Sequence, residues 1–167
     1  MRYAVMYQSK SGNTRKLAKE IYGCIYSAEK ELVDIDIMTG IPQADVYFIG
    51  FGVYNGTCSM EIIDCIEAIQ EGYIALFTTC GFSATKEYKE KIENEMAVWI
   101  SEDVEYLGMF LCQGSVPEEV REAILGKLGD KEDIVKLIFE FGSTHPDEID
   151  MAAVVEFTIE IQNKAEW

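Results

Sequence analysis

A chain of 167 residues, 49% of them hydrophobic, buries an ordinary core without disulfide or metal support, so a single domain over 1–167 is expected. Fourteen basic against thirty acidic residues leave a formal charge of −16, which repels nucleic acid phosphate and anionic membrane and suits a basic protein surface as partner; solubility alone is the other use of such a charge. The longest apolar runs, such as Val46–Ile49 and Ile74–Phe77, fall far short of the roughly 20 residues of a membrane span, the N-terminus lacks a signal pattern, and five cysteines without a CxxC pair read as reduced thiols, so a cytoplasmic monomer is expected.

Short apolar runs alternate along the chain with longer segments of helical period. Tyr3–Tyr7 is a near-continuous apolar run, as expected of a parallel strand buried on both faces. Leu17, Ile21, Cys24, Ile25 and Ala28 then form a helical stripe, and the alternation from Leu32 to Ile37 predicts an edge strand. Val46–Phe51 is a third strand, followed by the stripe Ile62, Ile63, Ile66, Ile69, and Tyr73–Phe77 is a fourth. Tyr88, Ile92, Met96, Trp99 and Ile100 mark the next helix, and Val104–Cys112 the fifth strand. Pro117 opens a helix carrying Val120, Ile124 and Leu128, with Gly129 as its stop, and a short helix spans Lys131–Phe141. The last helix starts near Pro146, with Asp147, Glu148 and Asp150 against its N-terminal dipole, and is expected to bury Ile149, Ala153 and Phe157. No repeat or linker interrupts this series. Five βα units predict a doubly wound parallel sheet, with any ligand beyond the carboxyl ends of the strands, near the loops after Tyr7, Gly50, Phe77 and Cys112.

The first of these loops reads Ser9, Lys10, Ser11, Gly12, Asn13, Thr14. Three hydroxyls and a glycine at a helix N-terminus suit an anion, because free backbone N–H groups and the positive dipole end meet there. One such residue already suffices for a plain helix cap, the competing use of Asn13 or Thr14. The loop is neither GxxxxGKS nor GxxxxGKT, and no GxGxxG follows the first strand, which disfavours a nucleoside triphosphate or a dinucleotide.

This pattern (Ser or Thr, any residue, Ser or Thr, then Gly, Asn, Thr, ending the first strand) resembles the fingerprint of the flavodoxin family, and the likeness continues to the His145, Pro146, Asp147, Glu148 opening of the last helix. The resemblance implies an α/β, flavodoxin-like, doubly wound five-stranded parallel sheet of strand order 2-1-3-4-5. It also implies one FMN and redox partner proteins with basic docking surfaces. The FMN phosphate would sit in Ser9, Lys10, Ser11, Gly12, Asn13 and Thr14, although the position of Lys10 in the fingerprint usually points to solvent. The isoalloxazine would lie between Val53, Tyr54, Asn55, Gly56 and Thr57 after the third strand and Thr79, Cys80, Gly81 and Phe82 after the fourth. Tyr54 is the stacking candidate, and Phe82 covers the other face or the ring edge. That second loop departs from better-known flavodoxins in lacking their Asp-rich or second-aromatic pattern. Phe51 and Phe82 as ordinary anchors packed on the core is the plainer alternative.

Other chemistry finds less support. His145 precedes Pro146 at a helix start, an exposed, structural setting, and no HExxH or GxSxG pattern accompanies it. Cys80 and Cys112 end strands and Cys58 opens a helix, so thiol redox chemistry near the ligand is conceivable, while burial as small hydrophobes is the ordinary use of such residues. A phosphorylatable receiver domain needs an aspartate ending the third strand, where Phe48, Ile49 and Gly50 stand instead. Three functions are therefore distinguished: electron transfer by bound FMN with no catalytic residues, a small FMN-dependent NAD(P)H reductase of a quinone or other small acceptor, and an adaptor that has lost its FMN.

Overall fold

Runs of apolar residues too short for helices pair here as five parallel strands in the order β2-β1-β3-β4-β5. The computed structural model describes residues 1–166. The strands are β1 (Tyr3–Tyr7), β2 (Lys30–Asp34), β3 (Val46–Gly52), β4 (Gly72–Cys80) and β5 (Val104–Gln113). Six helices connect and cover them: α1 (Asn13–Cys24), α2 (Met60–Ala68), α3 (Lys86–Ala97), α4 (Glu118–Leu125), α5 (Glu132–Gly142) and α6 (Glu148–Ala165), with a 3₁₀ turn at Gly129–Lys131 before α5.

The two-residue period of a strand divides the core into two layers. Ala4 and Met6 of β1 face Ile62 and Ile66 of α2 and Ile92 and Met96 of α3. Tyr3 and Val5 face the other way, onto Leu17 and Ile21 of α1 and Val154 and Ile161 of α6. All five residues of β1 are buried, whereas β2, at the edge, is half-exposed. Packing leaves no room where β3 pairs with β4: Gly50 stands opposite Phe77, and a Cβ on it would lie 2.1 Å from the ring of that fully buried residue. Gly50→Ala is therefore expected to cost on the order of 1–3 kcal/mol or more by overpacking, read as a lowered Tm.

Several elements differ from the sequence expectation. β2 ends at Asp34, where its partner β1 ends at Tyr7, so Ile35 to Ile37 turn away and Ile37 is exposed. The stripe of α1 stops at Cys24, because Ile25 is already extended; Ile25 is buried but Ala28 is exposed beyond the helix. α3 likewise ends at Ala97, leaving Trp99 on the surface. α4 buries none of its residues, Val120 is exposed, and the helix ends at Gly126 rather than Gly129, which instead opens the 3₁₀ turn. β3, β4 and β5 run on past the expected ends, so Gly52 of β3, Thr78, Thr79 and Cys80 of β4 and Gln113 of β5 are strand residues. The face of α6 is one residue out of phase with the expectation: Val154, Thr158, Ile161, Gln162 and Ala165 are buried, while Ile149 is 78% exposed and Ala153 is exposed. Phe157 is half-buried, its ring 6.5 Å from that of Phe48 and 6.0 Å from that of Phe110.

Candidate functional site

β1 has β2 on one side and β3 on the other, so the chain winds away in both directions from this pair. The crevice beyond its carboxyl ends is where ligands bind in open α/β sheets. Four loops meet there, after β1, β3, β4 and β5.

The first loop is shaped by its own side chains. Ser9 Oγ accepts from the backbone N–H of Gly12 (3.1 Å) and of Arg15 (3.2 Å), which curls the loop over the start of α1. Gly12, the residue that caps α1, has φ 90°, a left-handed conformation that a side chain resists. The backbone N–H groups of Ser11, Asn13 and Thr14 have no acceptor among the described residues. Unpaired N–H groups at a helix start, ringed by hydroxyls, are the donor set that a phosphate monoester uses.

Two buried side chains tie this loop to the rest of the sheet. Thr14 Oγ1 lies 3.1 Å from Thr79 Oγ1 of β4. Asn13 Nδ2 donates to Ser11 Oγ (2.9 Å) and to the carbonyl of Ser115 (2.8 Å), and Ser115 Oγ donates to Asn13 Oδ1 (3.1 Å). A Cβ on Gly114 would lie 2.6 Å from Asn13 Nδ2, so only glycine lets the loop after β5 approach so closely. Gly114 and Ser115 are absent from the sequence expectation. Their one signal was their place after β5, at a strand end already expected to face the ligand.

The second loop is a tight hairpin. Tyr54 and Thr57 exchange two backbone hydrogen bonds (2.9 and 3.0 Å), and the residues between them, Asn55 and Gly56, have φ 52° and 81°. Positive φ at both central positions is what an Asn-Gly turn of type I′ supplies. The hairpin is pinned to β4 by the Val53 N–H, which donates to the Thr79 carbonyl at 2.8 Å. Tyr54 is 45% exposed, its ring beside Gly52, and partial burial raises its phenol above the ordinary value. Lys10 Nζ stands over the same ring, 4.9 Å from its centroid, a cation–π contact that joins the first loop to the second.

The third loop is arranged differently. Phe82 is 43% exposed, and its ring packs at 5.5 Å against Phe139 of α5. Thr79 and Cys80 are buried with their groups already engaged: Thr79 with Thr14 and Val53, Cys80 through its carbonyl with the Gly114 N–H (2.8 Å) and through Sγ with the Phe82 carbonyl (3.1 Å). Burial pushes the Cys80 thiol up to about 12 and the Cys58 thiol, which precedes the Ser59 cap of α2, up to about 11. Cys112 is raised as well, first by burial. Protonated thiols are poor nucleophiles. Treatment with iodoacetamide at neutral pH is accordingly expected to leave Cys58, Cys80 and Cys112 unmodified by mass spectrometry, with labelling only on alkaline titration or unfolding.

His145 is more enclosed than its position implied, with its side chain 15% exposed. Nδ1 pairs with Asp150 Oδ2 at 2.6 Å, and the ring stacks on Phe141. The Asp147 and Asp150 carboxylates close a capping box at the start of α6, and the His145 carbonyl accepts from the Ser115 N–H at 2.8 Å. These contacts account for the group structurally.

A parallel sheet of order 2-1-3-4-5 with a hydroxyl-rich loop closing on the N-terminus of α1 defines a flavodoxin-like protein. The chain belongs to the flavodoxin family: the family model described as flavodoxin domain matches residues 4–159. It is 32% identical over 174 residues to the flavodoxin-like domain-containing protein BilS of Clostridioides difficile (strain CD3), covering 99% of this chain and 98% of that one. It is 29% identical over 180 residues to the protein of the same name from Clostridium symbiosum (strain WAL-14163), covering 95% of each. Oxidised flavodoxin 1 of Bacillus cereus superposes with a TM-score of 0.64 over 98% of both chains at 14% identity, a likeness of fold. No helix among the described residues is long and apolar enough to cross a membrane.

Proposed function

We propose that this chain binds one FMN and carries electrons between redox partner proteins. The observation that carries the reading is the first loop, whose unpaired N–H groups and hydroxyls fit a phosphate at the family's fingerprint. Bound FMN supplies the electron chemistry, accepting and returning electrons.

The chain's own residues hold and tune that group. Ser11 and Thr14 donate hydroxyls beside the backbone donors, and the Thr79 hydroxyl orients that of Thr14. Tyr54 offers a half-exposed ring to stack on, on a hairpin closed by the Asn55-Gly56 turn. Thr79 and Cys80 join the loops around the site, Gly81 follows them, and Phe82 borders it from the α5 side. Lys10 brings a positive charge onto the Tyr54 ring, where it offsets negative charge gained on reduction. A unit charge at about 10 Å is worth ~1.7 kcal/mol at an effective dielectric near 20 and ~0.4 in water, roughly 20 to 70 mV for one electron. Lys10→Met is therefore expected to lower the potential of the FMN-loaded protein by about that much, measured by redox titration; an unchanged potential would place the ammonium away from the flavin.

The test of the function is an absorption spectrum of purified protein loaded with FMN, with and without NADPH. Yellow colour that NADPH alone leaves unbleached, and that a catalytic amount of a flavodoxin reductase bleaches, supports the carrier. Direct bleaching by NADPH would replace it with the reductase reading.

A further inference from the structure

α5 carries more apolar surface than its packing uses. Its inner face buries Val135, Phe139 and Gly142, and is fixed at the crevice end of the sheet by two contacts: Phe139 on Phe82, and Gln113 Nε2, which donates to the Ile138 carbonyl at 3.0 Å. Gly142 is there because a Cβ would lie 2.5 Å from Gln113 Nε2. The outer face repeats Ile134, Leu137 and Phe141 at i, i+3 and i+7, exposed by 63%, 65% and 67%. A helix that needed only to cover the loops would be polar there. Phe141 is moreover held in place, one ring face stacked on His145 at 4.9 Å, so the stripe is partly preorganised.

The charge around the stripe selects its occupant. Residues 117–150, which hold α4, α5 and the start of α6, carry ten acidic and four basic side chains, with Asp133 and Glu140 exposed on α5 itself. Of the basic ones, Lys136 is already paired with Glu132 at 2.7 Å. A second copy of a chain of charge −16 is repelled from such a surface, as is an anionic membrane. The geometry points to the outer face of α5 as the docking surface for a partner protein that presents an apolar knob ringed by Lys and Arg, seated one helix away from Phe82 and the candidate flavin site. That the partner is a redox protein rests on the function proposed above; the docking surface does not.

The test uses the FMN-loaded protein and a synthetic 18-residue amphipathic helix of Leu and Lys as the probe. Amide shifts of ¹⁵N-labelled protein are expected to concentrate in residues 132–142, with affinity falling as salt rises. Ile134→Ser with Leu137→Ser, both exposed and remote from the phosphate loop, is expected to weaken the peptide at least tenfold while FMN affinity and melting temperature stay unchanged. Asp133→Asn with Glu140→Gln is expected to weaken it severalfold at low salt only. Equal binding to all three proteins, or shifts mapping elsewhere, would overturn the surface. A dimer in sedimentation that the Ile134/Leu137 variant abolishes, or binding to phosphatidylcholine vesicles that it abolishes, would overturn the choice of occupant. Failure to bind FMN with peptide mapping intact would remove the carrier function and leave the docking surface standing.

Discussion

Replacing Ser11 and Thr14 together by alanine is expected to weaken FMN binding about a hundredfold or more and riboflavin binding only slightly. With FMN held at this loop each hydroxyl would donate to a phosphate dianion, and a hydrogen bond to a charged group is worth about 1.5–3 kcal/mol, so two removed bonds correspond to roughly 3–6 kcal/mol, tenfold for each 1.4. Riboflavin has no phosphate and loses none of this. The two hydroxyls differ in setting. Ser11 is exposed, whereas Thr14 is buried and bonded to Thr79 Oγ1, so its loss also leaves the Thr79 hydroxyl without that partner. Thr14→Ser, which keeps the hydroxyl and removes only a methyl, should restore most of the selectivity. Titration of apoprotein by flavin fluorescence quenching gives both constants, and equal losses for FMN and riboflavin would show that this loop does not hold the phosphate.

Much of the fold was legible because parallel strands buried on both faces read as unbroken apolar runs. β1, β3 and β4 begin within one residue of where those runs begin. The edges of elements were less legible for specific reasons. The buried face of α6 includes Thr158, whose hydroxyl donates to the Val154 carbonyl, and Gln162, bonded to the Tyr26 N–H and to the Cys24 carbonyl. A stripe traced through apolar residues alone skips both and settles one position away. Phe82 was read from its loop as a ring cover or an anchor on the core, and its packing partner Phe139 was not legible because it comes from a helix whose inner and outer faces are both apolar, which blurs any helical period. Within the candidate site, the fingerprint points to Ser9 to Thr14 because all six residues are contiguous. Ser115 was invisible since it meets Asn13 across 102 positions, and a lone serine carries no spacing signal.

That distant pairing makes Asn13 the residue whose loss should be felt most widely. Its amide is 5% exposed and fully used: both Nδ2 bonds and the Oδ1 bond link the first loop to itself and to the loop after β5. Asn13→Ala strands the Ser115 carbonyl and removes two hydroxyl contacts. At about 1 kcal/mol per bond this amounts to roughly 3 kcal/mol, a large fraction of the 5–15 kcal/mol typical of a domain. Urea unfolding should show it as a lower midpoint with an unchanged slope. Asn13→Asp separates architecture from charge. It keeps an acceptor for Ser115 Oγ, but when ionised it offers no donor to the Ser115 carbonyl and places a negative charge beside the phosphate loop. Protonated, it repels nothing. FMN affinity of the Asp variant should therefore fall as pH rises through the titration of that carboxyl, while the Ala variant, measured over the same range, shows no such fall beyond that of the wild type. Parallel pH profiles for the two variants would mean that the anion lies elsewhere than at the start of α1.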